Sequence, residues 1–254
     1  TLGFLLPALT RVLSDPAAAG DPHLKAVVLS PSRELALQTH AEAVKLTSLL
    51  PGDWAGSHGR LRIDFVIGGQ QKSAQEARKL ERLPRMDLLV ATPGRLQDHL
   101  KTGALRKFVS PEHPLKALVL DECDRLLDMG FVHAIRDIRG RLPMGSGTQT
   151  LLFTATVSED VKKVADMYMR PGHAFINTIG EGQQGPKARI DHTYAKVPAA
   201  DVFATLRAAL EKHIAAHGGE HRIIVFFNTA FGAEFAATLF NAAGLKVGRL
   251  HSRL

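Results

Sequence analysis

Cysteine is almost missing from this sequence: one residue in 254, Cys123. A lone cysteine excludes an intrachain disulfide framework and a zinc site built from several thiolates, and it fits a reducing, intracellular setting. Aromatic residues are scarce, at 6% with one Trp and two Tyr. That argues against a protein that grips single strands by stacking bases on aromatic platforms. No apolar run reaches the roughly 20 residues of a membrane span, so no membrane association is expected. No signal peptide is visible, and the first residue is Thr rather than Met, so the natural N-terminus is expected upstream, with nucleus, nucleolus and organelles all open.

What is present is an ordinary globular composition, 45% hydrophobic, with a formal net charge of +7. The charge leans towards a polyanionic partner without establishing one. The length accommodates one large or two modest domains.

Short apolar runs recur along the chain: KAVVLS at 25–30, IDFVI at 63–67, MDLLVA at 86–91, KALVLD at 116–121, TLLFTA at 150–155, RIIVFF at 222–227 and LKVGRL at 245–250. They are rich in Val, Ile, Leu and Phe and nearly continuous, as strands buried on both faces are. Helical stretches are expected between them at 33–49, 72–83, 159–169, 202–217 and 231–243. This rhythm predicts βαβ units and an α/β fold with parallel sheets. The segment TIGEGQQGPKARI, 178–190, is polar and Gly-rich and reads as a linker. About 65 residues follow it, half of a usual α/β domain.

Ligands of open α/β sheets bind at the carboxyl ends of the strands. Each predicted strand ends in polar or Gly/Pro-rich residues: PSRELALQ from Pro31, GGQ from Gly68, TPGRL from Thr92, DECD from Asp121, TAT from Thr154 and NTA from Asn228. Asp121 and Glu122 end a strand as the second acidic motif of a phosphate-loop NTPase does, where the first carboxylate holds Mg²⁺ and the second activates water. The same pair also suits a plain helix start. Thr92–Pro93 opens a helix with free N–H groups and Arg95 in its first turn, a phosphate-binding arrangement or an ordinary cap. Gly68 and Gly69 allow either close approach of a sugar-phosphate chain or a simple turn. Arg33 faces a phosphate or solvent, and the hydroxyls of Thr154 and Thr156 are placed to bridge to Asp121 or Asp124.

Taken together and in this order, these segments resemble the DEAD-box RNA helicases of helicase superfamily 2. PSRELALQ resembles that family's PTRELA motif, GGQ its GG motif, TPGRL its TPGR motif, DECD its DEAD motif and TAT its SAT motif. IIVFFNT resembles motif IV, and LHSRL the start of the RNA-contacting segment after it. TLGFLLPAL at the start resembles the stretch after a Walker A motif, which makes Thr1 that motif's last residue and a nucleotide-binding candidate.

The resemblance implies a RecA-like parallel sheet flanked by helices over 1–177, a linker at 178–189 and an incomplete second RecA-like domain at 190–254. It implies ATP and Mg²⁺ bound between two such domains and RNA held by its backbone, with ATP-driven closure opening short duplexes. By the same resemblance Asp121 and Glu122 are catalytic, Asp121 holding Mg²⁺ directly or through water. Asp124, Thr154 and Thr156 couple ATP to RNA. Pro31, Ser32, Arg33, Gly68, Gly69, Thr92, Pro93, Gly94 and Arg95 line the RNA path, joined by Asn228, Thr229, His251 and Ser252. A monomer is expected, with protein cofactors left open.

Three departures matter. Cys123 stands where the family has Ala, and Thr154 where it has Ser. No GxxxxGK[ST] is present, since MGSGTQT at 144–150 lacks the Lys and precedes a strand. The chain as given is therefore expected to hydrolyse little ATP, and a non-catalytic RNA-binding protein is the alternative, ahead of a DNA-directed translocase. His213, His217 and His221 recur every four residues, but Gly218 and Gly219 break the helix, so a metal face is disfavoured. Trp54 reads as a loop anchor.

Overall fold

A computed structural model describes residues 1–14, 21–49, 61–69, 73–178 and 191–251. Trp54, Ser252 and all but the first residue of the predicted linker lie outside the described residues. The chain divides into two compact units, Thr1–Phe175 and Ile176–Leu254.

In the first unit the five expected strands form one parallel sheet in the order β2-β3-β1-β4-β5. They are β1 Ala26–Leu29, β2 Ile63–Val66, β3 Leu88–Ala91, β4 Ala117–Leu120 and β5 Gln149–Leu152. The three central strands are wholly buried, while edge strands β2 and β5 are partly exposed. That is why the central runs are continuously apolar: a parallel strand inside an α/β layer has no solvent face to furnish.

Alternate residues feed two cores. Val27, Leu29, Leu89, Ala91, Leu118 and Leu120 face one core, and Ala26, Val28, Leu88, Val90, Ala117 and Val119 the other. The second core is covered by α1 (Leu2–Leu13), through Phe4, Leu5, Ala8, Leu9 and Val12, and by α2 (Arg33–Ser48), through Ala36 and Ala43. The first is covered by α3 (Ser73–Arg82), α4 (Pro93–Thr102), α5 (Cys123–Asp128), α6 (Val132–Arg141) and α7 (Glu159–Tyr168), which contribute Leu80, Leu96, Leu126, Ile138 and Val164 among others. Burying a Leu- or Phe-sized side chain contributes about 1.5–3 kcal/mol, which makes these two layers the main stabilising feature of the unit.

The register sets the site. Leu29 pairs with Ala91 and Leu120, Val66 with Ala91, and Leu120 with Leu152. All five strands therefore end flush, and their exit loops share one edge of the sheet. At the opposite edge, Lys25 Nζ lies 2.7 Å from Asp87 Oδ1, both groups buried, and the other Asp87 oxygen accepts the Arg62 N–H at 2.7 Å.

The second unit holds α8 (Val202–His217) and α9 (Ala230–Ala242), packed through Leu210, Ala236 and Phe240 with Phe203, Phe227, Leu245 and Val247 partly buried against them. Here the expectation of strands at 222–227 and 245–250 is corrected. Both segments lack ladder hydrogen bonds, and Ile224 and Phe226 are 79% and 89% exposed. A β-rich sequence becomes a strand only when a neighbour satisfies its backbone, and among the described residues these two segments do not pair.

Candidate functional site

The β4 exit is the centre of the flush edge. The Asp121 N–H donates to the Leu29 carbonyl at 2.9 Å, and the carboxyl, 8% exposed, accepts the Glu122 N–H at 3.1 Å. Burial pushes this carboxyl above its ordinary range, and the Glu122 carboxylate pushes it further up, against the pull of the Glu122 N–H. Thr1 lies at the head of α1, where its carbonyl accepts from the Phe4 and Leu5 N–H groups. Glu122 has φ 46° and ψ 57°, the one non-glycine among the described residues with positive φ. Such a backbone costs on the order of 1–3 kcal/mol and persists where the surroundings impose it. It turns the chain from β4 into α5 within one residue and leaves the Glu122 carboxylate in solvent.

Asp124 resolves the question left open by the threonines. Its Oδ2 accepts from the Thr156 hydroxyl at 2.9 Å and from the Thr156 N–H at 3.2 Å, while the Thr154 hydroxyl donates to the Thr156 carbonyl at 2.8 Å. Burial works against ionisation of Asp124. Hydrogen bonds from the Thr156 hydroxyl, the Arg125 N–H and the Thr156 N–H outweigh it and hold the carboxyl below its usual range. The β4 and β5 exits are thus tied together through one carboxylate. Between them Cys123 is fully buried, its N–H donating to the Phe153 carbonyl at 2.9 Å and its thiol pushed up to about 11 by burial and Asp124. A thiol so buried carries almost no thiolate at neutral pH.

The β1, β2 and β3 exits form a second cluster. Ser32 caps α2 by accepting the Leu35 N–H at 3.2 Å, and Pro31 is buried behind it. Arg33 is exposed and its guanidinium lies over Gly69, whose φ of 86° suits glycine and where a Cβ would overlap that guanidinium. The Gly68 N–H donates to the Thr92 hydroxyl at 3.3 Å. Thr92 is the N-cap of α4, followed by buried Pro93, yet its hydroxyl makes no bond to its own helix. The first-turn N–H groups at exposed Gly94 and at Arg95 are left without a side-chain cap, which is an anion-accepting arrangement.

Arg95 shows what sequence patterns miss. Its guanidinium is 10% exposed, with Nε 3.4 Å from Glu76 Oε2, and the same oxygen lies 2.7 Å from Nε2 of fully buried His99. Glu76 and His99, on α3 and α4, orient Arg95 from behind. His99 follows Arg95 by one helical turn, but no spacing rule joins either to Glu76, which meets them only when the two helices pack.

In the second unit Asn228 is exposed, and the Thr229 hydroxyl accepts the Gly232 N–H at 3.0 Å to cap α9. His251 Nε2 lies 2.8 Å from Glu234 Oε2, and Arg249 pairs with the other Glu234 oxygen. The His213 and His217 rings stack at 4.1 Å, and Nδ1 of His217 donates to the His213 carbonyl at 2.9 Å, so these rings are engaged with each other and the helix end.

Comparison with known proteins gives this edge a family. The family model for the DEAD/DEAH box helicase matches residues 1–164. The chain is 38% identical over 253 residues to the DEAD-box ATP-dependent RNA helicase 26 of Oryza sativa subsp. japonica, covering all of this chain and 44% of that protein. It is 33% identical over 258 residues to the mitochondrial ATP-dependent RNA helicase mss116 of Aspergillus oryzae, covering 38% of it. Among solved structures, Mss116p bound to ssRNA and AMP-PNP aligns with a TM-score of 0.75 at 27% identity, over 95% of this chain and 47% of that one. The chain thus spans less than half the length of these relatives. With the acidic strand exit, its threonine partners and the glycine and TPGR loops on one edge of a RecA-like sheet, the chain belongs to the DEAD/DEAH box helicase family.

Proposed function

We propose that this chain carries the ATP-responsive, RNA-binding surface of an ATP-dependent RNA helicase. Residues 1–177 serve as the first RecA-like domain, 178–189 as a linker, and 190–254 as part of a second. The observation that carries the reading is the double hydrogen bond from Thr156 to Asp124, which joins the DECD and TAT exits. An acidic pair that merely caps a helix has no use for it.

Asp121, a buried carboxyl that burial pushes upward, suits a divalent cation, and it would hold Mg²⁺ directly or through water. Bound there with ATP, the ion would neutralise phosphate charge. With ATP bound, Glu122 would be the residue to orient the attacking water and take its proton, which its exposed position allows. Asp124 passes any displacement of the DECD turn to Thr154 and Thr156. On the RNA side Arg33 meets a phosphate beside Gly69, and the uncapped N-terminus of α4 accepts a second at Gly94. Arg95 is held behind it by Glu76. Asn228, Thr229 and His251 are placed as secondary contacts, His251 through its pairing with Glu234. Backbone contacts of this kind favour an A-form or single-stranded RNA chain without reading bases.

The purified chain should bind a short fluorescein-labelled oligouridylate, measured by anisotropy. Its affinity should fall as salt rises, and Arg33→Ala should weaken it severalfold with a shallower salt dependence. Equal affinity for the matching DNA would favour a DNA translocase. RNA binding indifferent to Arg33 would remove the assigned path. Because the sequence holds no GxxxxGK[ST], hydrolysis of ATP should be negligible with or without RNA. Robust RNA-stimulated turnover would overturn that point and the non-catalytic reading together.

A further inference from the structure

Three side chains remote from the site converge on a single point. Asp21 and His23 lie just before β1, and His113 lies just before β4. Ninety positions separate the two histidines. They meet because β1 and β4 are adjacent and in register from their first residues, and because the approaching segments are tied by the Lys116 N–H to the Lys25 carbonyl at 2.7 Å. This is the amino edge of the sheet. The four residues of β1 place it roughly 13 Å or more from the strand exits.

The geometry is specific. The His23 and His113 rings stack at 3.8 Å with 11° between their planes; because an ion lies in the plane of each imidazole it binds, sharing one requires a ring to turn out of this stack. Nδ1 of His23 is 2.5 Å from one Asp21 oxygen, and Nδ1 of His113 is 3.3 Å from the other. The three ligand atoms lie within 4.8 Å of one another. The ligand atoms of a tetrahedral zinc ion, at bonds of about 2.0–2.1 Å, sit about 3.3 Å apart; the His113–Asp21 pair has that spacing, and the hydrogen-bonded His23–Asp21 pair would open to reach it. The side chains of Asp21 and His23 are 10% and 20% exposed, and that of His113 is 40% exposed. They line a cavity of about 290 Å³ that also receives Glu112 and Lys116. The nearby ammonium of Lys25 is committed to Asp87.

We propose that Asp21, His23 and His113 form a binding site for a zinc-class transition-metal ion, distinct from the nucleotide site. Two imidazoles and one carboxylate select zinc or a neighbouring late first-row metal over magnesium, which prefers all-oxygen ligation. Three protein ligands leave a fourth position for water or Glu112. Bound metal would clamp the segment before β1 to the loop before β4 at the sheet's start.

The test is calorimetric titration of the purified chain with zinc chloride after chelator treatment. One zinc per chain is expected, with a rise in melting temperature. His113→Ala and Asp21→Asn should each weaken binding by at least the roughly 10- to 100-fold that loss of a supporting partner costs at a metal site. The double variant His213→Ala, His217→Ala should bind as the parent does. Circular dichroism in zinc-free buffer establishes that each variant is folded. Cobalt(II) added to the unsubstituted chain supplies a readout independent of any variant, since its visible absorption reports tetrahedral nitrogen and oxygen ligation. Absence of stoichiometric zinc binding, a cobalt spectrum matching the hydrated ion, or full affinity in folded His113→Ala would each overturn the proposal.

Discussion

Asp121 works against the stability of the chain that carries it. Burial raises its folded pKa, so the folded state resists losing that proton more than the unfolded chain does. The sign follows. Below the unfolded value of about 4 both states are protonated and Asp121 is neutral in its effect. As pH rises past the unfolded value and then the raised folded one, the penalty grows to its full size. Asp121→Asn should therefore raise the melting temperature near pH 7, and the gain should vanish near pH 3. A variant less stable than the parent at pH 7 would show that the carboxylate is compensated in the fold. Glu122 adds a second local cost, through its left-handed backbone. Two adjacent unfavourable groups at one strand exit are what a site shaped for a ligand displays.

At the scale of elements, the sheet depends on a pair that no motif announced. Asp87, fully buried before β3, faces Lys25 before β1 and also takes the Arg62 N–H and Arg85. Asp87→Ala should cost about 3–5 kcal/mol in urea denaturation, because it strands a buried ammonium. Lys25→Met combined with Asp87→Leu should recover much of the loss. If the double variant is no better than the single, the pair is not where the cost arises. The strands themselves were legible because burial on both faces leaves only apolar residues to choose from, and Ala26–Leu29 and Ala117–Leu120 meet that demand at every position. The same reasoning failed for 222–227 and 245–250. Apolar β-branched character marks a segment that could enter a sheet, but pairing depends on a partner backbone. The motif residues were legible from their order along the chain. Glu76 was not, since only the packing of α3 against α4 brings it to Arg95 and His99.

Over the whole molecule, the two units are unequally built. The first has two extensive cores against a five-stranded sheet, while the buried cluster of the second rests on Leu210, Ala236 and Phe240. Opening free energy follows buried apolar contact, so the amides of α8 and α9 should exchange with deuterium well before those of β1, β3 and β4. Hydrogen-exchange mass spectrometry would show this, and matching protection in both units would mean that they unfold as one.

The order of short motifs, each placed after an apolar run, settled the fold class and the family without coordinates, because local composition encodes which strands are buried on both faces and which loops must stay polar. Distances across the chain were beyond its reach. The register that makes five strands end flush, the Asp124 carboxylate accepting from Thr156, the Arg33 guanidinium over Gly69 and the meeting of His23 with His113 all join residues far apart in sequence. Each arises from how strands pair and helices pack, and backbone hydrogen bonding between neighbours fixes those relations only once the sheet has formed.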